Sequence, residues 1–306
     1  HLLGNGTSIV SVTLAGVEVQ AIESFSAAQV VVRAAQQLVP TTGDVILTAD
    51  TGAIVNKTNA FSYFAPGSIA TVTPSRGQIG TRITLAGTGL FGGGTGVANV
   101  TVGGAQVLET LSQSNSSIVV RAPSGAVGLA TIVVTSDTGA TVSKANSFTY
   151  DTASAITLVD PSSGIAGTVV TLTGTNLLGV ANGNFIAAAT FGGSTNATVQ
   201  SSTQTSVVVV APAGIAPSNV SIVIEADSGA RTSTLPAAFE FLAPANITDF
   251  APQTGITGTL VTITGDNLLG GADSVASVTA AGIAATTQAV SSSSIVVELG
   301  AGSTQS

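Results

Sequence analysis

Thr73-Pro74-Ser75-Arg76-Gly77-Gln78-Ile79-Gly80-Thr81-Arg82-Ile83-Thr84-Leu85-Ala86-Gly87 is a stretch the chain writes three times. It returns as Val159-Asp160-Pro161-Ser162-Ser163-Gly164-Ile165-Ala166-Gly167-Thr168-Val169-Val170-Thr171-Leu172-Thr173-Gly174, and again from Phe250-Ala251-Pro252-Gln253-Thr254-Gly255 through Gly265. The matching glycines Gly80, Gly167 and Gly258 lie roughly 90 residues apart, a period far above that of short solenoid repeats and close to one small β domain. The chain reads as a tandem array.

Composition narrows the class. Of 306 residues, 44% are hydrophobic and only 7% charged, yet the apolar runs, such as Val207 to Ala211, are strand-sized. None approaches the roughly 20 residues that span a bilayer as a helix, so no membrane span is expected. A net charge of −8 with seven Lys and Arg in all argues against nucleic acid, because phosphate binding draws on clustered basic residues. Cysteine is absent, so no disulfide framework exists and each domain must be held by its core. The chain begins His1-Leu2-Leu3-Gly4, without an initiator Met or a signal peptide, and is expected to be a processed or partial product.

The copy at residues 67–150 sets the pattern. Ile69-Ala70-Thr71-Val72 before Pro74 predicts a first strand at a sheet edge, where proline's missing donor does no harm. Ile83 and Leu85 around Thr84 give the alternation of a half-buried second strand, ended by Gly87. Leu90-Phe91-Gly92-Gly93-Gly94 predicts a loop whose apolar pair plugs one end. Val100-Thr101-Val102, Ser117-Ile118-Val119-Val120-Arg121-Ala122-Pro123 and Ala130-Thr131-Ile132-Val133-Val134 predict further strands. Asp137-Thr138-Gly139 predicts a hairpin, with Asp and Gly tolerating positive φ, and Phe148-Thr149-Tyr150 closes the unit. About seven short strands with turns between them make a two-sheet sandwich.

The Pro-x-x-Gly-x-x-Gly-Thr-x-x-Thr-Leu-x-Gly opening, the Gly-Gly turn, the Ser-Ile-Val-Val-x-Ala-Pro strand and the closing Phe-x-Tyr resemble the IPT/TIG immunoglobulin-like domain, over nearly the whole chain. The resemblance implies an all-β fold of tandem Ig-like β-sandwiches of the E-set type. For function it implies receptor ectodomains, bacterial and algal surface proteins, accessory modules of polysaccharide-processing enzymes, or certain transcription factors, the last through basic loops this chain lacks.

The repeats are out of phase at the two ends. The closing motif occurs at Phe61-Ser62-Tyr63, Phe148-Thr149-Tyr150 and Phe239-Glu240-Phe241, and the hairpin at Asp50-Thr51-Gly52, Asp137-Thr138-Gly139 and Asp227-Ser228-Gly229. Middle strands occur at Val30-Val31-Val32, Ile118-Val119-Val120, Val207-Val208-Val209 and Ile295-Val296-Val297. Leu2-Leu3-Gly4 matches Leu177-Leu178-Gly179, already past a second strand. The expected layout is two complete domains, 67–150 and 154–242, flanked by two incomplete ones: 1–64 without its first two strands and 245–306 without its last two.

Half-finished sandwiches expose apolar faces and unpaired edges. The first functional reading is therefore a structural subunit of an extracellular filament or appendage, polymerising head to tail with copies of itself by strand complementation. Its interface candidates are Val10, Val12, Leu14, Val30, Val32, Ile247, Leu260, Ile263, Ile295 and Val297. The second is a segment of a cell-surface adhesin or receptor whose loops bind glycan or protein, with Phe91 and Phe185 as the loop aromatics and end plugging as their competing role. A fragment whose missing strands lie in flanking sequence also accounts for the ends.

Asn5, Asn56, Asn99, Asn115, Asn196, Asn219 and Asn246 each begin an Asn-x-Ser/Thr sequon without proline, in or beside predicted loops and strand ends. Covalent glycans are expected on a hydroxyl-rich surface with so few charges. No enzyme is expected and no cofactor. His1 is the sole imidazole, which excludes a Ser-His-Asp triad or a histidine metal site. The recurring Asp50, Asp137 and Asp227 read as turn chemistry. Asp160 with Asp249, or Asp266 with Asp273, offer oxygen ligands for calcium without the dense Asp-x-Asp pattern that would support it.

Overall fold

The computed structural model describes residues 2–179, 183–193, 195–215 and 217–302; His1 lies outside the described residues. Among the described residues every regular element is a β-strand, and no helix is long and apolar enough to cross a membrane. The chain forms two compact units. The first comprises His1–Ser75, Ile83–Pro123 and Leu129–Thr149, and the second Arg76–Arg82, Ser124–Gly128 and Tyr150–Ser306. For the repeats themselves we use modules I to IV, residues 1–64, 67–150, 154–242 and 245–306.

In the first unit, module I builds a four-stranded sheet in the order Val17–Glu18, Ile9–Leu14, Thr41–Ala49, Ile54–Tyr63, and a separate pair, Ala21–Phe25 with Val30–Arg33. Ile9, Val12, Leu14, Leu47 and Ala49 are buried between them. The alternation in Ile9–Leu14 drives this, because a strand points successive side chains to opposite faces. In module II, Val97–Val102 pairs with Ala105–Gln106 on one side and Gly128–Ser136 on the other. Its second sheet runs Glu109–Gln113, Ser117–Arg121, Arg82–Thr88, Ser68–Thr73. Ile83 and Leu85 are fully buried there, as their spacing predicts.

In the second unit, module III is ordered Ala155–Asp160, Val169–Thr175, Ser206–Val210, Thr195–Ser202, Ile186–Phe191, Ile222–Ala226, Arg231–Ser233. Thr195–Ser202 serves both layers. Its first residues pair with Ile186–Phe191 and its later ones with Ser206–Val210. The core is fastened by Phe191, Phe239 and Phe241, whose rings meet edge to face with centroids 5.1 to 5.6 Å apart. Module IV repeats the plan over five strands, Asn246–Ala251, Leu260–Asp266, Ser294–Glu298, Ile283–Val290, Val278–Ala280.

One glycine of the opening motif has a direct explanation. A Cβ on Gly87, Gly174 or Gly265 would lie 1.9, 2.1 and 2.1 Å from the carbonyl oxygens of Ser68, Ala155 and Asn246, on the neighbouring first strand. Only glycine lets the two backbones come this close. The X–Pro bonds at Pro74, Pro161 and Pro252 are cis.

Module IV changes the picture of strand exchange. Both opening strands are already paired inside their own sheet, Asn246–Ala251 with Leu260–Asp266 and the latter with Ser294–Glu298. Leu260–Asp266 is flanked on both sides, whereas Asn246–Ala251 is the edge strand of the sheet and is paired on one side.

Candidate functional site

Each hairpin ties down a loop that lies 42 or 43 residues earlier in the chain. The Asp50 carboxylate accepts the Thr7 amide at 3.0 Å and the Thr7 hydroxyl at 2.6 Å. Asp137 accepts the amide and hydroxyl of Thr95 at 3.1 and 2.5 Å, and Asp227 accepts the amide and side-chain NH2 of Asn184 at 3.0 and 3.3 Å. In return the amides of Asp50, Asp137 and Asp227 donate to the carbonyls of Ser8, Gly96 and Phe185. Hydrogen bonds from the Thr7 hydroxyl and then its amide lower the pKa of Asp50, and those from Thr95 do the same for Asp137. The Asp-x-Gly pattern predicts positive φ tolerated by Asp as well as by Gly. The structure assigns that conformation to Gly52, Gly139 and Gly229 alone, with φ of 80, 83 and 87°. Aspartate recurs because its carboxylate is the loop's hydrogen-bond acceptor.

The latch holds Phe185. Its side chain is 53% exposed, so it is not an end plug. The matching positions, one residue before Ile9, Val97 and Ile186, are Ser8, Gly96 and Phe185, so the fold itself needs no aromatic there. Of the other predicted plug, Leu90 is fully buried and Phe91 half-buried, its amide donating to Asn115 Oδ1 at 3.0 Å.

Six of the sequon asparagines are exposed. Asn5 and Asn115 lie in loops, whereas Asn56, Asn196, Asn219 and Asn246 lie within three residues of a strand end. Asn56 donates to Asp44 Oδ2 at 3.1 Å. Asn99 is half-buried in Val97–Val102 and its Oδ1 is buried without a hydrogen-bond partner. Of the interface candidates, Val12, Leu14, Ile295 and Val297 are buried inside their own modules, Val30, Val32 and Ile263 are half-buried, and Val10, Ile247 and Leu260 are exposed. Asp160, Asp249, Asp266 and Asp273 come together in no group of three potential metal ligands among the described residues.

The second compact unit contains a contact with no signal in the pattern of any one repeat. The turn at Gly80 meets the hairpin at Gly229. The Arg82 amide donates to the Ser228 carbonyl at 3.0 Å and the Arg231 amide to the Ile79 carbonyl at 3.1 Å. Arg82 Nη2 and Arg231 Nε share the carboxylate of Glu225 at 3.3 and 2.8 Å. Beside them Gln78, 2% exposed, accepts the amide and hydroxyl of Ser154, both at 2.8 Å. Further along the same unit the loop Leu268-Leu269-Gly270 lies against Ile165, whose Cδ1 is 3.0 Å from where a Cβ on Gly270 would be. A groove of about 650 Å³ opens there, lined by Pro161, Ile165, Gly167, Leu269 and Asp273 among others. Comparing repeats would have singled out Gln78, Arg82, Glu225 and Phe185, because each departs from its counterparts. What those departures touch was not legible.

Solved structures that match in part include the full extracellular region of plexin A4, at 19% identity over 94% of this chain and 26% of that one, with a TM-score of 0.46. A surface glycan-binding protein from a Bacteroides ovatus mixed-linkage glucan utilization locus follows at 14% identity, 78% of this chain, 63% of that one and a TM-score of 0.25. The gamma-CGTase of Bacillus clarkii matches at 19% identity, 64% of this chain, 29% of that one and a TM-score of 0.26. The chain thus spans about a quarter of the plexin ectodomain and under two thirds of the glycan-binding protein. No curated protein matches the sequence. The IPT/TIG domain model matches residues 68–150, 154–241 and 245–306. With the opening motif, the buried alternating strands and this match over most of its length, the chain belongs to the IPT/TIG domain family.

Proposed function

We propose that this chain is a non-catalytic segment of a cell-surface adhesin or receptor ectodomain, extracellular and N-glycosylated, that binds glycan or protein through the loops at the ends of its modules. The observation that carries the reading is Phe185. An apolar ring left half in water has a hydration cost that the fold does not require, since Ser8 and Gly96 occupy the same place in other modules. The backbone that carries the ring is held. The Phe185 carbonyl accepts the Asp227 amide at 3.0 Å, and Asn184 next to it is held by the Asp227 carboxylate, so little backbone ordering remains to oppose binding.

A pyranose face or an aliphatic side chain of a partner protein would cover such a ring, and the hydroxyl-rich surroundings would serve a sugar's polar edge. The test is binding of the intact chain to a panel of immobilised glycans and to cell-surface protein extracts, native against Phe185→Ala. Loss of about tenfold in affinity is expected for the ligand that binds, the scale of one buried anchor. Identical binding by the two proteins would overturn the reading. Mass spectrometry of the native protein checks the glycan part, with occupancy expected at Asn5, Asn56, Asn115, Asn196, Asn219 and Asn246 and none at half-buried Asn99.

A further inference from the structure

Phe185 shares its face of module III with charged groups. The bond from the Asp227 amide to the Phe185 carbonyl continues, one residue outward, the ladder that pairs Ile186 with Ala226 and, past a bulge at Ala187, Ala188 with Glu225. Ile186, Ala189, Ile224 and Ala226 belong to the core. Alternation along a strand therefore places Phe185, Asp227 and Glu225 together on the outer face. Glu225 stands two residues from Asp227, about 7 Å along the strand. Ala187 and Ala188 are both exposed, so on the strand that carries Phe185 nothing longer than a methyl stands between it and the level of Glu225.

Glu225 gathers two cations there. Arg82 Nη2 and Arg231 Nε lie 3.3 and 2.8 Å from its oxygens, with the arginine side chains 46 and 45% exposed and Glu225 17% exposed. Two guanidiniums against one carboxylate leave a positive charge in excess, in a chain of net charge −8 that has only seven Lys and Arg. A guanidinium has N–H donors and no acceptor, so what it seeks next is another acceptor. The other carboxylate on this face, Asp227, is engaged by the amide and side chain of Asn184.

The turn–hairpin contact is made without these side chains. Its bonds run from the Arg82 amide to the Ser228 carbonyl and from the Arg231 amide to the Ile79 carbonyl, and its close approach is between Gly80 and Gly229. In module II, Thr135 and Thr141 stand at the places of Glu225 and Arg231, and Gly96 at that of Phe185. Ring and guanidiniums depart from the repeat together, on one face of one module.

We propose that the ligand of this face is an acidic glycan, a pyranose bearing a carboxylate as in a uronic acid. The C–H face of the sugar stacks on Phe185, and its carboxylate is taken by Arg82 and Arg231. An aromatic ring complements the apolar face of a pyranose, and a guanidinium meets a carboxylate with two parallel N–H donors. An acidic peptide would satisfy the arginines but brings no rigid C–H face to the ring. The proposal rests on the ligand-binding reading of Phe185 and names its substrate class. All its residues lie in the second compact unit.

The experiment is isothermal titration calorimetry of the intact chain with a galacturonate oligosaccharide and with a neutral cello-oligosaccharide of the same length. The uronate is expected to bind about tenfold tighter or more, the size of one charge-assisted pair. Its affinity alone should fall between about 20 and about 300 mM salt, because screening weakens exposed ion pairs. Phe185→Ala should cost the uronate about tenfold. Arg82→Gln, at an exposed position, should cost it about as much and leave the neutral sugar unchanged. Glu225→Gln separates a binding site from a purely architectural cluster: with the competing carboxylate gone both guanidiniums turn to the uronate and binding tightens several-fold, whereas losing a staple would tighten nothing. Circular dichroism checks that each variant is folded, and Arg82→Gln carries the test if Glu225→Gln is not. Equal affinity for the two sugars, no binding of the uronate, or no effect of Arg82→Gln overturns the proposal. So does a folded Glu225→Gln that binds the uronate no tighter, or a glutamate peptide bound as tightly as the uronate without dependence on Phe185. If the neutral sugar alone binds and needs Phe185, the ligand-binding reading stands and the acidic specificity falls.

Discussion

Gly80 and Gly229 face each other at backbone distance: a Cβ on Gly229 would sit 2.9 Å from the Gly80 oxygen and 2.8 Å from Arg82 Cγ. Both have positive φ, 84 and 87°. Two separate costs therefore bear on any larger residue, conformational strain and collision.

Gly229→Ala is expected to destabilise the second compact unit by about 1–3 kcal/mol of strain, with the collision added. Gly139→Ala, at φ 83° with open space around it, carries the strain alone. Urea unfolding of the two variants should show the larger loss in Gly229→Ala. Equal losses would mean the turn–hairpin contact contributes nothing.

The core of module III depends on Phe239, fully buried between Phe191 and Phe241. Phe239→Ala is expected to cost about 3–5 kcal/mol through lost transfer energy and an unfilled cavity. Phe239→Leu keeps most of the volume and should cost much less. Thermal melts followed by calorimetry distinguish them.

Acid should loosen the latches. The folded pKa of Asp50 and of Asp137 lies below the ordinary value of 3.8, so the folded state binds fewer protons there than the unfolded chain. Stability from these groups is fully present above the unfolded pKa and is lost as pH falls through the folded one. Protection of the Thr7 and Thr95 amides from hydrogen exchange, relative to the unstructured rate at the same pH, should fall below about pH 4, where free aspartate takes up its proton. In Asp50→Asn and Asp137→Asn that acid-dependent loss of protection should disappear.

Alkali acts through the tyrosines. Burial pushes Tyr150 up to about 12 and raises Tyr63. Between pH 10 and the folded pKa only the unfolded chain releases these protons, so stability falls as pH rises through that window. In Tyr63→Phe, the Tyr150 phenolate absorbance should stay low at pH 10.5 and appear together with unfolding. An early, reversible rise at pH 10 in the folded variant would contradict the burial of Tyr150.

The alternation of Ile83 with Leu85, the Leu-x-Gly or Ile-x-Gly near the end of each second strand and the period between matching glycines all forecast the sandwiches. Each reflects a local rule: side chains alternate along a strand, and glycine marks close backbone approach. Phe185 was visible as a loop aromatic, but its exposure was not, since the same residue type in the same loop could equally have turned inward as Leu90 does. Asp50, Asp137 and Asp227 are legible as turn residues, but not as loop acceptors, because their partners Thr7, Thr95 and Asn184 are 42 or 43 residues away.

What the sequence alone determined is the repeat, the all-β class, the sandwich strands and the family, because these rest on patterns that each module carries complete in itself. Only the tertiary structure decided that Arg82 and Arg231 share Glu225, that the opening strands of module IV are paired with each other, and that Phe185 stands exposed. Those facts join residues from different modules, or depend on what covers a surface. Contacts of that kind are set by how folded surfaces meet, which no local periodicity encodes.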